Sequence, residues 1–275
     1  MKKPTTLTVA CIQVNVGNDM QKNIKEAEAL IRKAAKAKAQ LIALPENVSF
    51  MAANQKDLLA NSYTGKDHPG LLRFKALAKE LKCWILIGSL AVKVSGSKKL
   101  RNRSYLLKPD GSIATYYDKI HLFNVTLPSG ERYGESARYQ AGDKLKVATT
   151  PWGKMGLTIC YDIRFPHLFR ALAHKGASLI SVPAAFTYDT GVVHWHTLLK
   201  ARAIENHAFI IAPGTTGNHP GGRKTFGHSL IIGPWGDVLA EADDKPGIIV
   251  AKLELARAHT IRESFPSLYH DRAFD

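Results

Sequence analysis

Short apolar runs that alternate with helix-patterned segments constrain this chain more than any other feature. Leu7–Val14, Leu41–Pro45 (LIALP) and Trp84–Val92 (WILIGSLAV) each read as a buried strand. Between the first two, Asn18 or Asp19 can cap a helix running to about Lys38. Its Ile24, Ala27, Ile31, Ala34 and Ala35 share one face. A second helix, around Leu71–Leu81, precedes the third strand. The rhythm resumes at Pro166, which can open a helix that stops near Gly176. LISVP then reads as a strand, HWHTLLKARAIEN as a helix and FIIAP as a strand.

Three Pro-x-Gly turns interrupt this pattern: Pro109-Asp110-Gly111, Pro151-Trp152-Gly153 and Pro234-Trp235-Gly236. Proline pre-sets the first turn position and glycine tolerates the exit geometry, so each predicts a β-hairpin. Hairpins mixed with βαβ units predict two mixed sheets with helices over their outer faces. No linker rich in Pro, Gly or Ser divides the chain, so residues 1–275 are expected to form one domain. With 45% hydrophobic residues, a sizeable core is available.

Composition narrows the possible partners. Cys11, Cys83 and Cys160 are an odd, sparse set without a CxxC pair, which argues against a disulfide framework or a structural zinc site. A reducing, cytoplasmic setting suits them. The opening MKKPTTLTVACIQV reads as a first strand rather than a signal peptide, and no run of about 18 apolar residues exists to span a membrane. The net charge of +15 raises nucleic acid as a partner. The basic residues are scattered, however, and no helix-turn-helix, zinc-finger spacing or basic-aromatic run accompanies them. The charge supports a weak pull on anionic substrates, and no nucleic-acid or membrane partner is expected.

Chemistry could reside in GLTICYDIRFP, Gly156–Pro166. Cys160 lies at a strand-to-helix turn, where free backbone N–H groups can receive an oxyanion. Cys11, inside VACIQV, and Cys83, at the start of WILIG, suit ordinary buried thiols. A nucleophilic thiol needs a base, and His167, His194, His196 and His207 are available without any spacing that selects one. Glu46, placed directly after LIALP, is a carboxylate that needs solvent, a partner or a site. Lys119 directly follows the strand-like IATYYD. From the residues alone, Glu46, Lys119 and Cys160 are unconnected.

LPEN around Glu46, YYDKIHLF around Lys119 and GLTICYDIRFP around Cys160 resemble, in order and spacing, the three signature segments of the nitrilase, or carbon–nitrogen hydrolase, superfamily. The resemblance extends through YGES at Glu135, HWHTLLKARAIEN and FGHSLIIGPWGDVLA, and so covers nearly the whole chain. It implies an α-β-β-α sandwich. It also implies Glu46 as general base, Lys119 as catalytic lysine, Cys160 as nucleophile and Glu135 as a supporting glutamate. The backbone N–H of Tyr161 would join Lys119 in the oxyanion hole. Asp162 and Arg164 read as scaffold holding the turn, and His167 stands where relatives commonly carry glutamate.

No cofactor or metal is implied. The segments look most like the branch of small amidases that includes deaminated glutathione amidase and ω-amidase. Nitrilase, N-carbamoyl amidohydrolase or general aliphatic amidase chemistry on the same site is the alternative. A basic, nucleic-acid-binding protein on a hydrolase-like scaffold is the non-enzymatic one. Many relatives are homodimers, and the apolar content of FPHLFRALA hints at such a face here.

Overall fold

The computed structural model describes residues 4–128 and 130–273. Its six α-helices are α1 (Met20–Lys36), α2 (Gln55–Ala60), α3 (Pro69–Leu81), α4 (Pro166–His174), α5 (Tyr188–Asn206) and α6 (Ala256–Ser264). Two large sheets lie between them. The first orders its strands Gly247–Glu254, Thr6–Gln13, Leu41–Ala43, Trp84–Lys93, Leu100–Leu107 and Ile113–Asp118, with Tyr63–Thr64 paired to the fourth. The second orders Val238–Glu241, Leu230–Ile232, Phe209–Ala212, Ala177–Ser181, Gly153–Leu157 and Lys146–Thr150. Each sheet has parallel strands at its centre and antiparallel strands at its margins.

Strand periodicity sorts the core into layers. Leu7, Val9 and Cys11 face the second sheet and pack in one cluster with Met155, Leu157 and Leu179. The alternate residues Ala10 and Ile12 face outward, where Ile24 and Ile31 of α1 and Phe74 and Leu77 of α3 cover them. On the far side, Phe169 and Leu172 of α4 and Trp195 and Leu199 of α5 cover the second sheet. The architecture is the expected α-β-β-α sandwich.

Local chemistry accounts for the element ends. Asp19 caps α1, its Oδ1 accepting the Lys22 N–H at 3.0 Å. All three Pro-x-Gly turns join antiparallel neighbours. The strand expected over LIALP stops at Ala43, before Pro45, which has no N–H to donate to a ladder. Helix α5 begins at Tyr188, six residues before the segment that reads as helical from sequence. Gly191 lets it start there, since a Cβ at this position would lie 2.3 Å from Phe226 Cβ. Within α4, Leu168, Phe169, Leu172 and Ala173 are buried inside the subunit, which accounts for most of the apolar content of FPHLFRALA.

One irregularity positions Glu46. The Trp84–Lys93 strand slips register against Leu100–Leu107 between Ile87 and Leu90. At this bulge the Leu44–Pro45 backbone passes so close that a Cβ on Gly88 would lie 2.1 Å from the Leu44 carbonyl oxygen. Ser89 holds the same segment: its N–H donates to the Pro45 carbonyl at 3.3 Å and its Oγ accepts the Asn47 N–H at 2.9 Å. Gly88→Ala must displace this segment. We expect a loss of about 1–3 kcal/mol in urea unfolding, together with a fall in turnover. A variant with unchanged midpoint and turnover would refute the account.

Candidate active site

Strand ends of both sheets converge on a cavity of about 240 Å³ lined by Glu46, Lys119, Glu135, Cys160 and Tyr161, among others. Glu46 and Lys119 come from the first sheet, just beyond Ala43 and Asp118. Cys160 comes from the second, three residues past Leu157. Glu135 opens a short 3₁₀ turn, Glu135–Ala137.

Cys160 sits at φ +47°, a left-handed conformation uncommon for a non-glycine residue. Its N–H donates to the Pro183 carbonyl at 2.9 Å, while the Tyr161 N–H takes no protein acceptor among the described residues. Asp162 holds this turn from a fully buried position. It accepts the Ile159 N–H at 2.8 Å, the Tyr117 hydroxyl at 2.7 Å and the His121 N–H at 3.1 Å, and lies 2.7 Å from His121 Nδ1. Tyr117 and His121 flank Lys119 in the chain. Asp162 therefore ties the turn of Cys160 to the segment of Lys119, across the two sheets.

Lys119 is almost wholly buried, with Nζ 2.8 Å from Glu46 Oε1, 2.9 Å from Glu135 Oε2 and 3.2 Å from Glu135 Oε1. Asn102 Nδ2 donates to both carboxylates, at 2.9 Å to Glu46 Oε1 and 3.0 Å to Glu135 Oε1. Glu46 Oε2 accepts the Ala185 N–H at 2.8 Å, and Glu135 Oε2 accepts the Phe123 N–H at 2.7 Å. Burial favours the neutral form of Glu46, but the charge and hydrogen bond of Lys119, the Arg223 charge and the Ala185 N–H outweigh it and bring the carboxyl down to about 2. Burial likewise opposes the charge on Lys119, yet Glu135 and Glu46 hold its pKa well above the usual value. Cys160 is pushed up, first by burial and then by the Glu46 charge, with Lys119 and Arg223 offsetting part of this. The resting pair is thus a thiol facing a carboxylate.

Of the histidines raised by the sequence, none lines this cavity among the described residues. His167 and His194 are exposed, and His207 is buried 2.9 Å from Ser267 Oγ. His196 lies 2.9 Å from Glu241 Oε1. Cys11 and Cys83 are buried thiols whose pKa burial raises, as expected. Asp162 holds the turn of Cys160, as expected, whereas the Arg164 side chain reaches the cavity. Arg164 lines the cavity, 5.5 Å over the Phe186 ring, with Nη2 3.2 Å from His194 Nδ1.

Two residues at this site escaped the sequence reading. Asn102 left a signal: it is a polar residue at an inward position of the alternating strand Leu100–Leu107. Arg223, on a Gly-rich loop, left none. It reaches the site through a hydrogen bond to the Ala185 carbonyl and its charge on Glu46 and Cys160.

The sequence profile of the carbon-nitrogen hydrolase family matches residues 8–263. The chain belongs to this family. It is 40% identical over 264 residues to the deaminated glutathione amidase of Synechocystis, covering 95% of this chain and 96% of that protein. It is 38% identical over 266 residues to the deaminated glutathione amidase of Yersinia enterocolitica, covering 96% and 92%. The crystal structure of Saccharomyces cerevisiae Nit3, a member of the nitrilase superfamily, superposes with a TM-score of 0.86 at 28% identity, covering 95% of each chain.

The buried charges of this carbon–nitrogen hydrolase make stability depend on pH with a definite sign. The depressed Glu46 pKa contributes stability that is full above the unfolded value of about 4.3 and fades as pH falls toward the folded one. Lys119→Met removes the cation and leaves two buried carboxylates facing each other. We expect a loss of about 3–5 kcal/mol near neutral pH. Freed of the cation, the Glu46 pKa rises, so protonation relieves the variant and the gap to wild type narrows toward about pH 5. Urea unfolding at both pH values checks this, and a pH-independent gap would contradict it.

Proposed function

We propose that this carbon–nitrogen hydrolase is an amidase that cleaves the terminal amide of a small carboxylate-bearing substrate through a thioester on Cys160. The observation that carries this reading is the meeting of the Cys160 thiol, the Glu46 carboxylate and the Lys119 ammonium in one cavity. As the thiol sulfur attacks the amide carbon, Glu46 takes its proton. The carbonyl oxygen becomes an oxyanion, which Lys119 and the Tyr161 N–H stabilise. Collapse breaks the C–N bond, and the protonated Glu46 returns its proton to the leaving ammonia. Water, deprotonated by the same carboxylate, then hydrolyses the thioester to free acid and thiol. Glu135 and Asn102 act as positioning residues that hold Lys119 and Glu46.

The substrate reading rests on charge and on relatives. Arg132, Arg138, Arg164 and Arg223 line the cavity, and with Lys119 they outnumber its glutamates Glu46, Glu131 and Glu135. A guanidinium suits a carboxylate because it can bind both oxygens at once. Arg164, poised over Phe186, is our choice of anchor. The names of the relatives favour deaminated glutathione, with the ω-amide of an α-keto dicarboxylic acid as the smaller member of that class. The three free cysteines suit a cytoplasmic setting.

Acid-quenched protein, weighed intact after mixing with such an ω-amide, should carry the acyl group on Cys160. Cys160→Ala should show neither adduct nor turnover. Glu46→Gln should lose about 10²–10⁴-fold in kcat. An active alanine variant, or failure to trap an adduct in wild type and Glu46→Gln alike, would overturn the mechanism. For the substrate class, Arg164→Met should raise KM for the acid about tenfold or more while leaving a neutral amide of equal length unaffected. Equal kcat/KM for the acid and its neutral analogue would remove the carboxylate anchor without touching the thioester.

A further inference from the structure

A second cluster of chemistry-bearing side chains lies away from the cavity. His196 of α5, His228 of the loop after Phe226 and Glu241 at the end of Val238–Glu241 point their donor atoms at one another, all within 4.8 Å. Glu241 Oε1 is 2.9 Å from His196 Nε2 and 3.1 Å from His228 Nδ1. None of the three lines the cavity.

Both rings are held in place. The Phe226 ring stacks on His228 at 4.3 Å and meets His196 edge-on at 6.1 Å. His228 takes a left-handed φ of +49°, and Trp195, the residue before His196, donates its Nε1–H to the His228 carbonyl at 2.7 Å. A strained backbone at a histidine, fixed by the neighbour of a second histidine, aims both imidazoles at one carboxylate.

We propose that His196, His228 and Glu241 form a binding site for a divalent transition-metal ion of the zinc class. Two imidazole nitrogens and a carboxylate oxygen are a donor set that favours Zn²⁺, Co²⁺ or Ni²⁺ over the oxygen-seeking Mg²⁺ and Ca²⁺. In a tetrahedral site with metal–ligand bonds of about 2.0–2.1 Å, donors sit roughly 3.3 Å apart. The two short distances here need widen by only a few tenths of an ångström. Any proton the imidazoles share with Glu241 leaves to solvent as the ion enters. The side chains are 35%, 29% and 38% exposed, so water can fill the remaining coordination positions. The ion would clasp α5 to the edge strand of the second sheet. That helix carries Thr190, a cavity-lining residue, less than two turns before His196.

The test uses untagged Cys160→Ala protein, so that the reactive thiol is not a competing ligand, titrated with Co²⁺ and followed by its visible absorption. One equivalent should bind, Zn²⁺ should displace it, and Zn²⁺ should raise Tm. His196→Ala and Glu241→Gln should each weaken binding by about 10-fold or more and abolish the Tm shift. His196→Gln, which can still hydrogen-bond Glu241, should behave like the alanine variant. Absence of saturable Co²⁺ binding, or binding that survives all three substitutions, would overturn the proposal.

Discussion

The ammonium of Lys119 is the interaction on which the site depends. Without it, Glu46 and Glu135 would be two carboxylates sharing a largely buried space, and at least one would take up a proton. With it, both are anchored: Lys119 bridges them, Asn102 donates to each, and backbone N–H groups of Ala185 and Phe123 close the remaining positions. A buried ion pair is weak evidence for stability, because desolvation offsets the attraction. Its consequence here is orientation. Lys119, Asn102 and the Ala185 N–H all bind the carboxylate itself, which leaves an ionised acceptor facing the thiol.

Such an arrangement needs both sheets. Glu46 and Lys119 follow strands of the first sheet that two others separate, but Cys160 belongs to the second, and apolar packing is non-directional, so it does not by itself fix how the layers register. Asp162 removes that freedom, since its buried carboxylate binds the turn of Cys160 on one side and Tyr117 and His121 on the other. The Gly88–Ser89 bulge does the same for the segment of Glu46. The positions of the reacting groups are thus set by polar contacts at the strand ends, while the layered core supplies the rigidity behind them.

These differences in origin explain what the sequence reveals. Layer order, the starts of α1 and α4 and all three hairpins follow from local periodicity and from Asp, Pro and Gly, whose conformational demands act within a few residues, whereas the start of α5 depends on the distant Phe226 packing on Gly191. The trio Glu46, Lys119 and Cys160 is legible only through its likeness to a family, because its members are 73 and 41 residues apart and no periodic rule joins them. Asn102 stood out in principle, as a polar residue on an inward strand face. Arg223 and the true setting of Arg164 did not, since each depends on where a loop or turn crosses the cavity. His196, His228 and Glu241 are equally hidden, their spacing matching no metal motif, and only the return of the edge strand onto α5 brings them together.

The protonation pattern also separates this site from a cysteine–histidine pair. In such a pair the base is an imidazole, and the resting state can be an ion pair with a preformed thiolate. Here the proposed base is a carboxylate held far below neutrality and the thiol is raised by burial, so a resting thiolate is strongly disfavoured. Proton transfer alone would then be uphill, and in the proposed reaction it must be coupled to formation of the sulfur–carbon bond. As the negative charge moves from Glu46 to the substrate oxygen, it stays within reach of Lys119. In that proposal the same cation that depresses the carboxyl in the resting protein also serves the oxyanion in the tetrahedral state. On this reading the low basicity of Glu46 is a consequence of placing Lys119 where the developing charge would need it.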